Sequence, residues 1–384
     1  MQFCLGHPTE GYYMKRDVFG QKGDFITSPE ISQTFGELIA VWFISQWERA
    51  GRPAHVRLVE LGPGRGTLAA DMLRTFWSFG DISLSLETLH MVENSEFMRR
   101  LQRDALRESL GTHDMQLKWH NDLEEIDTDP SIYTMVVAHE FFDAMPVDML
   151  EKGENGWREI MVDLNRLEDQ VEKKENVLVP PSSDAFGFRF AKSEPNSFRA
   201  KIVAGSSKRY FDMPEGSRIE VSAQASDVAA TLARLIHGGG GGAGLIVDYG
   251  DDRVFSDSLR AFKKHKHVDL FETPGECDIT ANVDFAAMRE AVDGEAHAHG
   301  PITQRDFLMS MGLVHRLDAL LKAAETNEQK ASLATAAQRL VDSTGMGSEY
   351  KFMAITNTAD VPYPFEKPQE ASGKSKEDGE KLSE

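Results

Sequence analysis

Val56-Arg57-Leu58-Val59-Glu60-Leu61-Gly62-Pro63-Gly64-Arg65-Gly66-Thr67 is the stretch whose reading decides the fold. A Val/Leu-rich run ends on an acidic residue, and three glycines follow in strict alternation. A helical period starts at once, with Leu68, Met72 and Phe76 on one face. Strand, tight glycine turn, helix is the opening of a doubly wound α/β domain, in which ligands sit beyond the carboxyl ends of the strands. The glycines allow positive φ and close approach of a ligand. Pro63 fixes one φ and gives up one N–H donor.

The residues around the turn select the ligand. A phosphate-cradling P-loop needs Gly-x-x-x-x-Gly-Lys-Ser/Thr, and no lysine stands there. The dinucleotide fingerprint Gly-x-Gly-x-x-Gly places its third glycine one residue later. A carboxylate at the strand end, Glu60, suits a cation better than a pyrophosphate. S-adenosylmethionine, with a sulfonium, an α-ammonium and no phosphate, fits that demand. Acid-Leu-Gly-x-Gly-x-Gly resembles the signature of methyltransferases that use it. A glycine-rich surface turn without a ligand is the competing reading.

Outward from this turn, 384 residues are enough for a large core. Two cysteines, Cys4 and Cys277, make no disulfide framework, which points to a reducing compartment. No run approaches the roughly 20 apolar residues that span a bilayer. A net charge of -20 argues against nucleic-acid binding and for basic partners. No Arg-rich leader precedes Gly11-Tyr12-Tyr13.

Upstream, Gly23 to Ser28 reads as a polar loop able to lie over a ligand, with Asp24, Phe25 and Ser28 as lid or substrate candidates. Ser28 and Pro29 read as N-cap and first turn of a helix whose apolar face is Ile31, Phe35, Leu38, Ile39, Trp42 and Phe43. Downstream, Leu86 to Val92 reads as a second strand ending at Glu93. A carboxylate there matches the two ribose hydroxyls of a nucleoside. Met115 to His120 reads as a third strand followed by Asp122, able to accept from an adenine amino group or to cap the next turn. Tyr133 to Ala138 reads as a fourth, buried strand, ending in His139-Glu140-Phe141-Phe142-Asp143-Ala144-Met145-Pro146. That end faces the reacting centre, so Glu140, Phe141 and Asp143 are candidates for an acceptor pocket, and one of Phe141 and Phe142 belongs to the core. Leu245 to Gly250 is a further buried strand ending in acid and aromatic, Asp248 and Tyr249. The run Gly238 to Gly242 reads as a flexible turn.

Two His-x-His pairs, His265/His267 and His297/His299, lack partners at ligand spacing, so no metal is expected. There is no Gly-x-Ser-x-Gly nucleophile elbow.

Gly11-Tyr12-Tyr13, Gly23-Asp24-Phe25-Ile26-Thr27-Ser28-Pro29-Glu30, Glu60 to Thr67, His139 to Pro146 and Asp248-Tyr249-Gly250 together resemble the MidA family. Later segments do so too: Leu259 to Phe262, Pro274-Gly275, Asp278-Ile279-Thr280, Val283 to Phe285, Phe307-Leu308 and Met346-Gly347. Members are S-adenosylmethionine-dependent protein arginine methyltransferases that act as mitochondrial complex I assembly factors. The resemblance implies a class I methyltransferase, Rossmann-like doubly wound sheet with an inserted α+β and helical substrate region. It implies a cofactor site of Glu60, Gly62, Gly64, Gly66, Thr67, Glu93 and Asp122. It also implies a protein substrate, the iron–sulfur-protein subunit near the quinone site of complex I, symmetric dimethylarginine as product, and the mitochondrial matrix as location. We assign Glu140 and Asp143 the catalytic role of holding the substrate guanidinium, with Asp248 and Tyr249 opposite.

The expected organisation is a lid and helix over 1–50 and a cofactor-binding core over 51–165, 215–262 and 345–358. A variable insertion over 166–214, a mostly helical substrate region over 263–344 and a charged, disordered tail over 359–384 complete it. A homodimer is a candidate assembly; nucleic acid and membrane insertion are not expected. The rivals are an assembly chaperone of complex I that keeps a weakly catalytic cofactor fold, and a nicotinamide-dependent oxidoreductase.

Overall fold

The structure, a computed structural model, describes residues 1–15, 26–111, 113–166 and 186–366. Its main sheet has seven principal strands: β1 (Val56–Leu61), β2 (Leu86–Val92), β3 (Gln116–His120), β4 (Tyr133–His139), β5 (Gly242–Asp251), β6 (His297–Thr303) and β7 (Tyr350–Thr356). They lie in the order β3-β2-β1-β4-β5-β7-β6, with a two-residue strand, Val283–Asp284, added on β5. β1 to β5 pair in parallel, and β7 enters antiparallel to both β5 and β6.

β1 and β4 are buried at every position, as central parallel strands covered on both faces must be. The covering helices are α1 (Gln33–Arg49), α2 (Thr67–Ser78), α3 (Glu96–Leu110), α4 (Ala223–His237) and α5 (Phe285–Val292). Phe35, Trp42, Leu73 and Leu106 of the first three pack with Val56, Leu58 and Met135 on one face. Ala229, Leu232, Ile236 and Phe285 of the other two pack with Val59, Leu61 and Val136 on the opposite face. Period-2 alternation along β1 thus feeds two cores, and Glu60 shares the α2 side with Leu58.

Register places the site. Leu61 pairs with both Val92 and Ala138, and His139 pairs with Val247. Gly62, Glu93 and Glu140 stand just beyond the ends of β1, β2 and β4, and Asp248, within β5 and next to Val247, lies at the same edge of the sheet.

Three expectations need correction. The N-cap position of the first helical turn is Thr27, not Ser28, without a side-chain capping bond, and that turn stops at Ile31 because Ser32 is extended, with φ of -158°. Ser32 then caps α1 by accepting the Thr34 N–H. The run ending at Gly242 is closely packed: a Cβ on Gly242 would lie 2.2 Å from the Thr134 carbonyl oxygen. The Thr134 N–H donates to Gly241 O, so these glycines pack tightly against the start of β4. Finally, the insertion begins before 166. A separate four-stranded sheet takes in Asp148–Gly153, Gly156–Arg166, Phe186–Lys192 and Arg218–Val221. It has its own core of Leu150, Trp157, Ile219, Val203 and Tyr210. β6 and α5, from the 263–344 region, belong to the main α/β body. Of the tail, 359–366 is described, and 367–384 lies outside the described residues.

Candidate active site

A cavity of about 690 Å³ opens at the carboxyl edge of β1, β2 and β4. That size suits a nucleoside cofactor together with the end of a long side chain. One half is lined by Glu60, Gly62, Gly64, Thr67, Glu93 and Asp122, the other by His139, Glu140, Phe141, Asp143, Tyr249, Asp278 and Tyr350.

In the first half, Gly62, Gly64 and Gly66 all have positive φ, at 61°, 50° and 82°. A Cβ on Gly62 would lie 2.7 Å from Cδ2 of Phe141, whose ring closes the turn from the other side. Gly66 caps α2, whose first residue is Thr67. Glu60 is buried and accepts the Ala69 N–H. Its Oε2 accepts no hydrogen bond among the described residues. Burial pushes its carboxyl up to about 8. A buried carboxylate oxygen without a donor costs free energy until a cation or donor meets it.

At the end of β2, Glu93 Oε1 accepts the Ser95 N–H at 2.7 Å and Oε2 accepts Nε2 of Gln102 at 3.2 Å. Each oxygen keeps a further lone pair for a ligand hydroxyl. Asp122 caps the Leu123–Glu125 turn by accepting the Glu124 N–H at 3.1 Å while lining the cavity.

The second half is a nest of buried acids. Asp143 Oδ2 accepts the hydroxyl of Tyr249 and, at 2.7 Å, that of Thr280. Its Oδ1 is buried without a hydrogen bond among the described residues, and so is Glu140 Oε1, although His139 Nε2 lies 3.5 Å from that oxygen and Tyr350 hydrogen-bonds the Glu140 carboxyl. Burial, then the nearby Asp143 charge, pushes the Glu140 carboxyl up to about 8. Burial also raises Asp143, against the pull of the Tyr249 and Thr280 hydroxyls. Glu140 sits at φ 48°, a left-handed conformation rare for its type and kept where surrounding structure holds it. Next to it, His139 is buried, with burial lowering its imidazole to about 3. Tyr13 donates to Asp278 Oδ1 at 2.7 Å, bringing the N-terminal helix Tyr12–Lys15 to the cavity wall.

Asp248 lies behind the wall. Its Oδ2 accepts the N–H groups of Phe141, Phe142 and Asp143 at 3.2, 3.0 and 3.3 Å, and Oδ1 accepts that of Tyr249 at 2.9 Å. It is fully buried and shapes the acceptor turn instead of lining the cavity. Ser28 is likewise buried behind the lining, its hydroxyl 3.4 Å from Gln304 Oε1. Asp24 and Phe25 lie outside the described residues. Phe142 is core, and Phe141 faces the cavity. The sequence reading gave no role to Tyr13, Gln102, Arg260, Asp278, Thr280 or Tyr350. The Gly-Tyr-Tyr and Asp-Ile-Thr motifs held three of them, Tyr13, Asp278 and Thr280, but only the fold shows that Tyr13 meets Asp278.

The donor set fits S-adenosylmethionine: an orphaned buried carboxylate oxygen at Glu60, a turn at Gly62 that a Cβ would fill, and a two-acceptor carboxylate at Glu93. Residues 38–302 match the family described as "Putative S-adenosyl-L-methionine-dependent methyltransferase". The protein arginine methyltransferase NDUFAF7, mitochondrial, of Danio rerio is 36% identical over 94% of this chain and 82% of its own length. The Homo sapiens protein of that name is 34% identical over 92% of this chain and 78% of its own. A crystal structure of a COG1565 superfamily member from Burkholderia thailandensis, bound to S-adenosyl-homocysteine, superposes with a TM-score of 0.74. It is 26% identical and covers 94% of this chain and 87% of that one. With its relatives aligned over nearly its whole length, the chain belongs to this S-adenosyl-L-methionine-dependent methyltransferase family, the one its motifs resemble.

Proposed function

We propose that the chain is a protein arginine N-methyltransferase whose substrate is the iron–sulfur-protein subunit of respiratory complex I. In this reading the product is symmetric dimethylarginine and the place of action the mitochondrial matrix. The observation that carries the arginine assignment is the pair of buried, hydrogen-bond-free oxygens, Glu140 Oε1 and Asp143 Oδ1, in one cavity wall. A guanidinium offers N–H donors in a fixed fork that such a pair can accept. The names of the relatives and the motif resemblance support the same substrate class, and the motif resemblance supports the complex I subunit.

S-adenosylmethionine supplies an electrophilic methyl carbon on a sulfonium. The chain's part is to place and polarise the nucleophile. Tyr249 and Thr280 hold one oxygen of Asp143, and in this reading the other accepts from the incoming guanidinium. Glu140 binds beside it and concentrates electron density on the nitrogen that gains the methyl. As that nitrogen–carbon bond forms, the carbon–sulfur pair stays on sulfur. One proton leaves the nitrogen, and Glu140 is the carboxylate placed to take it.

The test is Glu140→Gln assayed with a peptide carrying the target arginine. Turnover should fall at least about 100-fold, as for loss of a positioned general base. Calorimetric affinity for S-adenosyl-homocysteine should stay within about threefold, because the cofactor half is untouched. Undiminished turnover would remove Glu140 from the reaction. A wild-type protein that binds the subunit but methylates nothing would favour the chaperone reading.

A further inference from the structure

Gln102 is fully buried in α3, outside the cavity lining, and its amide is fully engaged. Trp119 of β3 donates its indole N–H to Oε1 at 2.8 Å. Nε2 donates to the Gly64 carbonyl at 2.8 Å and to Glu93 Oε2 at 3.2 Å. One side chain thus joins the glycine turn, the end of β2 and β3.

An indole N–H can only donate, so Trp119 dictates which end of the Gln102 amide is oxygen. The NH₂ end then faces two acceptors, the Gly64 carbonyl of the glycine turn and Glu93 Oε2 at the end of β2. Arg103 holds its guanidinium over the Trp119 ring at 4.6 Å, which steadies the indole. A trans peptide is planar, so turning the Gly64 carbonyl toward Gln102 turns the Arg65 N–H the opposite way. The helix also packs closely here: a Cβ on Gly66 would lie 3.5 Å from Gln102 Cα.

We infer that Gln102 is the positioning residue of the cofactor site: its amide, oriented by Trp119, sets the Glu93 carboxylate for the ribose hydroxyls and fixes the Gly64 peptide beneath the cofactor. The inference rests on the cofactor assignment alone and is independent of the arginine substrate. No other side chain of the described residues touches both Glu93 and Gly64 through hydrogen bonds.

Calorimetry on the whole chain, without protein substrate, tests it. Gln102→Met keeps the volume and loses both donors. It should raise the Kd for S-adenosyl-homocysteine by about ten- to 100-fold, the range for losing a charge-assisted bond at a binding site. The probe that separates positioning from mere packing is the 2′-deoxy analogue. In wild type the missing hydroxyl should cost about tenfold in affinity; in Gln102→Met that penalty should shrink to about twofold, since Glu93 is no longer aimed. A Kd within twofold of wild type, or an undiminished deoxy penalty, overturns the inference. Should Gln102→Met fail to fold, Trp119→Phe at the partly exposed indole gives the same reading: the amide loses its orienting donor, and Kd should rise at least about threefold with a reduced deoxy penalty. An unchanged Kd in Trp119→Phe overturns it equally.

Discussion

Glu140 carries two consequences of burial at the scale of one residue. Its carboxyl titrates near 8, against an ordinary 4.5, because burial and then Asp143 disfavour its charge. The folded chain therefore holds a proton there that the unfolded chain releases at lower pH. Between about pH 4.5 and 8 the unfolded state binds fewer protons, so this group subtracts stability as pH rises, by at most about 1.4 kcal/mol per pH unit. Glu140→Gln does not titrate. Its stability advantage over wild type should widen across that window, read as the difference between urea melts at pH 5.5 and 8. Equal differences at both pH values would show that Glu140 ionises normally. In the proposed mechanism the ionised form binds the guanidinium, so wild-type kcat/KM should climb from pH 6 toward about 8.5.

At the scale of elements, the acceptor turn after β4 is held by a neighbouring strand. Asp248 gathers three consecutive N–H groups on one oxygen, with the geometry of a nest whose acceptor the protein supplies, while burial and then Asp143 and Glu140 push its carboxyl well up. Asp248→Asn weakens every one of those acceptor contacts and can set an NH₂ against N–H donors. We expect a loss of about 1–3 kcal/mol in stability and at least a tenfold drop in turnover, with S-adenosyl-homocysteine still bound. Denaturation curves and calorimetry on the same preparation check both halves. The elements around this turn were readable in advance wherever the signal was local. The run Val56 to Thr67 and the apolar run from Tyr133 to Ala138 announce their strands by composition alone. What stayed hidden was pairing across long separations. Asp248 reads like a pocket acid because it ends a strand; only register, which sets His139 against Val247, turns it behind the wall. Gln102 sits in the middle of an amphipathic helix, where nothing local separates a buried polar key from a surface glutamine. The start of the small sheet at Asp148 was missed for a related reason, since half-buried antiparallel strands carry weaker patterns than central parallel ones.

For the whole molecule, ligand binding and folding are linked through the buried acids. A ligand that meets Glu60 and Glu93 stabilises the folded chain by mass action, about 2.7 kcal/mol at a ligand concentration 100 times Kd. S-adenosyl-homocysteine should therefore raise the melting temperature by several degrees, while NAD and ATP leave it unchanged. A shift with NAD and none with S-adenosyl-homocysteine would reverse the assignment.

The cavity wall proposed to receive the substrate draws on Tyr13 and on Tyr350 in β7, the last strand of the main sheet among the described residues. The cofactor half, from Glu60 to Asp122, leaves the ribosome more than two hundred residues before Tyr350. A nascent chain can thus assemble the half from Glu60 to Asp122 first, while the proposed acceptor wall stays incomplete until β7 has emerged. In the proposed reading, the order in which the walls are delivered keeps a nascent chain from methylating before Tyr350 is in place.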